Sequence, residues 1–275
     1  MVLLGYGSNG FPDHRWEEAL PWLAELGYRA VALTPDVGRL DPRTATPAEV
    51  RAVGGLCRSL GLAVVLETGA RFVLDPRRKH RPNLLEPDDS WRERRDLLLR
   101  LLSWCDDLGA GVLSFWSGVL PEGQTEAGAR TRLAAVLPEL AAAAEAAGVR
   151  LALEPEPGHF VETLADWEAL GAADHGVGLT LDVGHLTASR DLAAGEAVAR
   201  YGEHIVSVQL DDCPTGVHEH RPPGEGDVDW PAVRRALAAL PPTTPACFEL
   251  PRDGHRFHAL APRLPAWWAV LATEP

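Results

Sequence analysis

The chain has 275 residues, the usual length of one (β/α)8 barrel, and its 46% apolar residues can form a substantial core. Its net charge of −13 argues against a nucleic-acid partner, because phosphate binding requires lysine and arginine side chains. The four cysteines show no paired spacing, so we expect reduced thiols in a cytoplasmic protein.

Strand-like and helix-like segments alternate along the chain. The first apolar segment, residues 2–6, lacks a basic flank and is too short for a signal peptide, so we interpret it as a strand. Further strands are predicted at 30–34, 63–67, 112–115, 151–153, 178–181, 205–208 and 246–248. No segment is long and apolar enough to span a bilayer, so we expect no membrane association.

Helices are predicted between these strands. They cover about 15–26, a segment from 46, 90–109, 127–147, a short segment from 163, 192–201, 231–240 and a last segment that ends near 272. Two of them open with capping boxes, Thr46 with Glu49 and Ser90 with Glu93. Regular alternation without a linker predicts one α/β domain over residues 1–275, a (β/α)8 TIM barrel.

The last four predicted strands each end in a side chain that bears oxygen. These residues are Glu154, Asp182, Gln209 and Glu249. In a barrel of parallel strands, such ends meet at one edge near the axis. Facing carboxylates repel each other unless they share a cation or a proton, so the pattern predicts one divalent metal ion bound through oxygen atoms. Taken singly, each acidic strand end also fits a salt bridge or a helix cap.

Histidines follow two of these strands. His185, three residues after Asp182, is predicted to contact substrate, to support a metal ligand or to bind another metal. His218 and His220 alternate in the long loop after strand seven, so an extended backbone would point both rings to one side, towards a metal or a polar substrate. Arg221 beside them is predicted to hold a carboxylate, hydroxyl or phosphate group. A solvated surface loop is the alternative.

Other residues are expected around the same mouth of the barrel. Glu156 shares a strand face with Glu154, so it would either bind substrate hydroxyls or face solvent. Trp116 follows strand four, and Glu67 and Tyr6 end strands three and one. All three would line the mouth, where Trp116 and Glu67 are expected to contact substrate. An aromatic wall suits the apolar face of a sugar, although ordinary packing also places large aromatic side chains at barrel ends.

The chain resembles the xylose isomerase-like barrel superfamily, the sugar phosphate isomerase/epimerase group. The matching segments are LALEPEPG, GLTLDVGH, VSVQLDD, HEHRPPGEGDVDW and CFEL, in that order, all in the second half of the chain. The resemblance implies that one Mn, Mg, Co or Zn ion is bound by Glu154, Asp182, Gln209 and Glu249. It also implies that His185, His220 and Arg221 bind substrate. Gln209 stands where the usual sugar epimerases carry histidine, and its amide oxygen favours Mn or Mg over Zn.

This resemblance implies an isomerase or epimerase for a small-molecule substrate, such as a sugar, a sugar derivative or a hydroxy-carbonyl compound. The metal would polarise a carbonyl and its neighbouring hydroxyl, and Glu154 or Glu249 would remove a proton to give a metal-bound enediolate. Two glutamates on opposite sides of the substrate would invert the carbon. A single base that returns the proton to the neighbouring carbon would interconvert aldose and ketose.

Three other functions stay open at this point. A lyase or dehydratase would use the same enediolate, followed by β-elimination. A hydrolase like the apurinic endonucleases would need histidines after strands three and four, where the chain has Glu67-Thr68-Gly69 and Trp116-Ser117-Gly118. The third alternative is a barrel without catalytic activity. The pair Trp267-Trp268 on the last helix leaves a homo-oligomer open.

Overall fold

A computed structural model, which describes residues 1–271, shows a closed barrel of eight parallel strands. Each strand pairs with its neighbours in chain order, and β8 closes the barrel against β1. The strands are β1 (Leu3–Gly7), β2 (Ala30–Leu33), β3 (Ala63–Glu67), β4 (Ala110–Trp116), β5 (Arg150–Glu154), β6 (Gly178–Asp182), β7 (Ile205–Leu210) and β8 (Pro245–Phe248). The predicted TIM barrel is confirmed, and every predicted strand overlaps an observed one.

Helices surround the barrel. They are α1 (Trp16–Glu25), α2 (Pro47–Ser59), α3 (Trp91–Leu108), α4 (Glu126–Ala146), α5 (Leu164–Ala169), α6 (Val183–Ala188), α7 (Ala194–Tyr201), α8 (Trp230–Leu237) and α9 (Phe257–Val270). The short helix α6 was not predicted from the sequence, and it follows β6 without a loop. The predicted end of the last helix near residue 272 lies outside the described residues. Within residues 1–271, no helix has the length and apolar character that crossing a membrane requires.

One of the two predicted capping boxes is confirmed and the other is wrong. Thr46 and Glu49 form the reciprocal hydrogen bonds that open α2. Ser90 has helical backbone angles and makes no cap, because its hydroxyl and its backbone N–H both donate to Asp88. A carboxylate two residues earlier therefore captures the serine that would otherwise cap α3.

Small side chains fill the barrel interior below the strand ends. They are Ala30, Ala32, Val65, Val112, Ala152, Val206 and Cys247, which form a cluster separate from the larger core. Gly5 belongs to the same layer, since a Cβ atom there would lie 2.4 Å from Cys247 Sγ. The larger core includes the apolar side chains of the surrounding helices. All four cysteines are buried and free, in agreement with the expectation of reduced thiols.

Candidate metal centre and active site

A cavity of about 260 Å3 opens at the carboxyl ends of the strands. The barrel geometry brings most of the residues singled out in the sequence to its wall. Those that line it are Glu67, Trp116, Glu154, Glu156, His185, Gln209, His218, His220 and Glu249. Asp182 lies beside them, buried at the end of β6. The strand ends thus deliver side chains that are far apart in sequence to one place.

Carboxylates crowd the base of this cavity. Ligand atoms of Glu154, Asp182 and His185 lie within 4.8 Å of one another, and so do those of Asp182, His220 and Glu249. Burial raises the pKa of Glu154 well above its ordinary value, and the charges of Glu249 and Asp182 raise it further. The pKa values of Asp182 and Glu249 are raised well above the ordinary range by burial and by neighbouring carboxylates. The cluster therefore resists carrying its full negative charge unless a cation or protons neutralise it.

Two buried oxygen atoms in this cluster accept no hydrogen bond from any residue that the structure describes. They are Oδ2 of Asp182 and Oε1 of Gln209. The carboxyl group of Asp182 also lies against that of Asp211, and the two can bond to each other only when one of them is protonated. The other oxygen of Asp182 is occupied, because Oδ1 accepts from the backbone N–H of His185 at 2.9 Å and so caps α6. Buried acceptors without donors cost free energy, and an oxygen-binding cation would satisfy both. The residues present therefore fit a divalent metal ion.

Hydrogen bonds with residues from other parts of the barrel hold two of these side chains, Gln209 and Glu249. Gln209 Nε2 donates to Glu67 Oε1 at 3.0 Å, and Thr34 Oγ1 donates to Glu67 Oε2 at 3.0 Å. Asn9 Nδ2 donates to Glu249 Oε1 at 2.9 Å. The sequence pattern did not reveal Asn9 or Thr34, because they come from turns after β1 and β2 with no chemical signature of their own.

Three histidines meet at one side of the cavity. His185 Nδ1 donates to the backbone carbonyl of Pro155 at 3.1 Å, which leaves Nε2 with a free lone pair. The Nε2 atoms of His218 and His220 lie 3.3 Å apart, and His220 Nδ1 lies 2.6 Å from Asp211 Oδ2. Burial lowers the pKa of all three rings, that of His218 to about 4. Neutral rings are available as ligands or as substrate contacts, and ligand atoms of the three lie within 4.8 Å of one another.

An aromatic wall stands beside the histidines. The Trp116 ring lies 4.8 Å from the His80 ring and 5.2 Å from the His159 ring, measured between ring centroids. The guanidinium of Arg94 lies 4.8 Å from the Trp116 ring on another side. Glu156 lies 3.2 Å from His159 Nδ1, and burial raises the pKa of Glu156 to about 7. His80, His159 and Arg94 therefore all pack around Trp116.

Two residues expected at the mouth lie elsewhere. Arg221 Nε donates to Glu219 Oε2 at 2.7 Å and Nη1 donates to the Glu225 carbonyl at 3.0 Å, so its guanidinium is engaged outside the cavity wall. Arg252 and Lys79 line the cavity instead. The prediction for Tyr6 is wrong, because its fully buried ring packs in the aromatic core, 5.3 Å from the Phe257 ring. Gly5 and Gly7 take the inward positions of β1, and alternation turns the side chain between them outward.

The family model of the xylose isomerase-like TIM barrel matches residues 20–269. The chain belongs to this family. No curated protein sequence matches it. Similar solved structures include the IOLI protein with a bound zinc atom, with a TM-score of 0.73 and 18% identity over 98% of this chain and 96% of that one.

Two further neighbours are sugar epimerases by name. D-psicose 3-epimerase in the presence of D-fructose has a TM-score of 0.74 and 17% identity over 99% of this chain and 100% of that one. The 3-keto-D-glucoside 4-epimerase YcjR from E. coli has a TM-score of 0.74 and 17% identity over 98% of this chain and 100% of that one. At such identities the likeness establishes the fold.

Proposed function

We propose that this protein is a divalent-metal-dependent isomerase or epimerase that acts on a small sugar or a related hydroxy-carbonyl compound. The observation that carries the proposal is the pair of buried oxygens, Asp182 Oδ2 and Gln209 Oε1, which find no donor among residues 1–271 and lie in a cluster with Glu154 and Glu249. A ligand set made only of oxygen atoms suits Mn or Mg.

Glu154 and Glu249 have the properties of a pair of proton carriers. A cation held by these two residues with Asp182 and Gln209 would supply Lewis acidity at a substrate carbonyl. A carboxylate held next to the acidified C–H group can accept its proton and return it. The two side chains come from β5 and from the end of β8, with β6 and β7 between them, so they approach a bound substrate from different directions. One glutamate that removes a proton and another that returns it on the other side give epimerisation.

The surrounding residues suit a polyhydroxylated substrate. His185 is neutral and donates from Nδ1 to Pro155, so its Nε2 can accept a hydrogen bond from a substrate hydroxyl group, and His220 lies beside it at the cavity wall. Trp116 offers a flat apolar surface to the C–H face of a sugar. Two structural neighbours that are named as sugar epimerases and one that holds zinc support this choice of reaction and of cofactor class.

The metal content of the purified protein tests the first half of the proposal. We expect about one divalent ion per chain in the wild type and strong loss in Glu154→Gln and Glu249→Gln, because each removes a charged ligand. The surface substitution Glu203→Gln is the matched control, since its side chain is 84% exposed. A wild-type protein that takes up no ion after reconstitution would overturn the proposal.

Isotope exchange tests the second half. The metal-loaded protein would be incubated in D2O with a panel of ketoses and aldoses, and deuterium at the carbon next to the carbonyl would be followed by NMR. We expect incorporation that depends on both glutamates. A metal-loaded protein that exchanges no proton on any of these substrates would leave metal binding standing and refute the isomerase or epimerase activity.

A further inference from the structure

Glu67, at the end of β3, is a buried carboxylate whose two oxygens are both engaged within the protein. Oε1 accepts from Gln209 Nε2 and Oε2 accepts from Thr34 Oγ1, each at 3.0 Å. The side chain lies at the cavity wall, and the residue is 6% exposed. An ionised carboxylate can only accept hydrogen bonds. Its contacts with an amide and a hydroxyl therefore satisfy it without a substrate.

The contact with Glu67 decides which way the Gln209 amide faces. Because the carboxylate cannot donate, the amide must turn its NH2 group towards Glu67 and its oxygen away from it. That oxygen is buried and has no donor among residues 1–271. The reversed orientation would place the amide oxygen against the carboxylate and would point the NH2 group at the carboxylate cluster, where it would repel a cation.

We propose that Glu67 is a positioning residue, which holds the Gln209 amide with its oxygen directed at the metal site. The inference rests on the proposed function, because it assigns a purpose to one of the four ligands of that site. It replaces the expectation that Glu67 contacts substrate. Residues that orient a metal ligand in this way commonly change metal affinity by 10–100-fold when they are lost.

Two substitutions of Glu67 remove the same charge. They therefore distinguish the positioning of Gln209 from a direct effect of that charge on metal binding. Glu67→Gln keeps an acceptor for Gln209, since its amide oxygen can accept from Nε2 while its own NH2 group donates to the Thr34 hydroxyl. Glu67→Leu removes every acceptor at this position. We expect Glu67→Gln to bind Mn²⁺ within about threefold of the wild type, and Glu67→Leu to bind it at least about tenfold more weakly, as measured by calorimetric titration of the metal-free proteins.

A double-mutant cycle with Gln209→Leu tests whether the loss of Mn²⁺ affinity in Glu67→Leu arises through the Gln209 amide. Once Gln209 is gone, adding Glu67→Leu should weaken Mn²⁺ binding by no more than about twofold, because no amide is left to orient. Thermal unfolding of each metal-free variant shows whether the fold survives. Glu67→Met, which also lacks a strong acceptor, serves if Glu67→Leu does not fold.

Three results would overturn the inference. They are equal losses in Glu67→Gln and Glu67→Leu, wild-type affinity in Glu67→Leu, and undiminished loss in the Gln209→Leu background. Each of these leaves the proposed function intact, because the wild type still binds Mn²⁺. A wild-type protein that does not bind Mn²⁺, Mg²⁺, Co²⁺ or Zn²⁺ would remove both the inference and the proposed function.

Discussion

The indole Nε1 of Trp230 donates a hydrogen bond to Oδ2 of Asp212 at 2.9 Å, although 18 residues separate the two in sequence. The same carboxylate accepts from the backbone N–H groups of Gly224 at 2.8 Å and Val228 at 3.0 Å. Asp212 follows β7 closely and is fully buried. One side chain therefore ties the start of α8 and the preceding turn to the barrel, and so closes the loop that carries two of the cavity histidines.

Removal of this carboxylate should destabilise the fold more than removal of any one of its donors. Asp212→Ala leaves three donors without their acceptor, and we expect it to lower the free energy of unfolding by about 3 kcal/mol. Trp230→Phe keeps a six-membered aromatic ring but loses one hydrogen bond and part of the buried indole, for about 2 kcal/mol. Asp227→Ala is the control, because that exposed side chain accepts from the backbone and the hydroxyl of Thr215 at the surface. Urea unfolding that gives equal values for Asp212→Ala and Asp227→Ala would contradict this account.

Two adjacent glycines in α2 should respond oppositely to alanine. A Cβ atom on Gly54 would lie 2.0 Å from the Asp107 carbonyl oxygen of α3, so Gly54→Ala must push the two helices apart, at a cost of about 2 kcal/mol. A Cβ atom on Gly55 would meet nothing within 4 Å, so Gly55→Ala should stabilise the protein by about 0.5–1 kcal/mol through helix propensity. Chemical denaturation measures both. Stabilisation by Gly54→Ala would show that α2 and α3 are not packed this closely.

The stability of the metal-free protein should fall as the pH rises above neutral. Burial raises the pKa of Glu156 and Asp211 to about 7, and those of Glu154, Asp182 and Glu249 well above their ordinary values. Each of these acids holds its proton more tightly in the folded chain than in the unfolded one. Their protonated forms therefore stabilise the fold, and this contribution is lost as the pH rises through the folded-state pKa.

The buried histidines lower the stability of the fold as the pH falls, which is opposite to the effect of the carboxylates. Burial lowers the pKa of His185, and that of His218 to about 4, so the unfolded chain gains protons first as the pH falls below about 6.5. The range from about pH 6.5 to about 7.5, which also lies below the ordinary pKa of the four buried cysteines, therefore isolates the carboxylates. In the presence of a chelator we expect Tm to fall by roughly 5 °C across this range, and saturating Mn²⁺ should flatten the profile. Parallel profiles with and without metal would contradict the assignment of the cluster as a cation site.

Gln209→His should shift the metal preference towards zinc. The substitution replaces an amide oxygen with an imidazole nitrogen, and nitrogen ligands favour Zn over Mn and Mg. We expect at least about a tenfold rise in the ratio of bound Zn to bound Mn after dialysis against an equimolar mixture. Asn9→Ala provides the comparison, because it removes the hydrogen bond to Glu249 and leaves the ligand atoms unchanged. An unchanged ratio in Gln209→His would mean that residue 209 does not coordinate the ion.

The position of the buried carboxylate cluster could be predicted from the sequence, whereas the orientation of its side chains could not. Strand ends fix where Asp182 and Gln209 lie, because the connectivity of a parallel barrel leaves one edge for them. The direction of the Gln209 amide depends on Glu67, which is 142 residues away, and no local pattern encodes such a contact. The orientation of Arg221 could not be predicted from the sequence either. Its guanidinium points towards Glu219, and this contact, not its place in the chain, decides where it lies.

Two predictions made from the local sequence, those for Ser90 and Tyr6, were wrong. Ser90 has the spacing of a helix cap, yet Asp88 captures its hydroxyl. Tyr6 ends the first predicted strand, yet Gly5 and Gly7 take the inward positions of β1, so alternation turns the ring away from the mouth. The first error comes from a nearby carboxylate that accepts the serine hydroxyl, and the second comes from the alternation of strand faces.

The packed interior of the barrel closes the described cavity from below. Gly5 and the small side chains around it block approach from below, and above them the hydroxyls of Ser114, Thr180 and Ser207 bond to one another at 2.7 and 2.8 Å. A substrate of the proposed reaction would therefore reach the carboxylates from the side of the loops. The fraction of hydrogen lost to solvent in each turnover of that reaction would consequently compare the rate of proton return with the rate of solvent exchange through this opening.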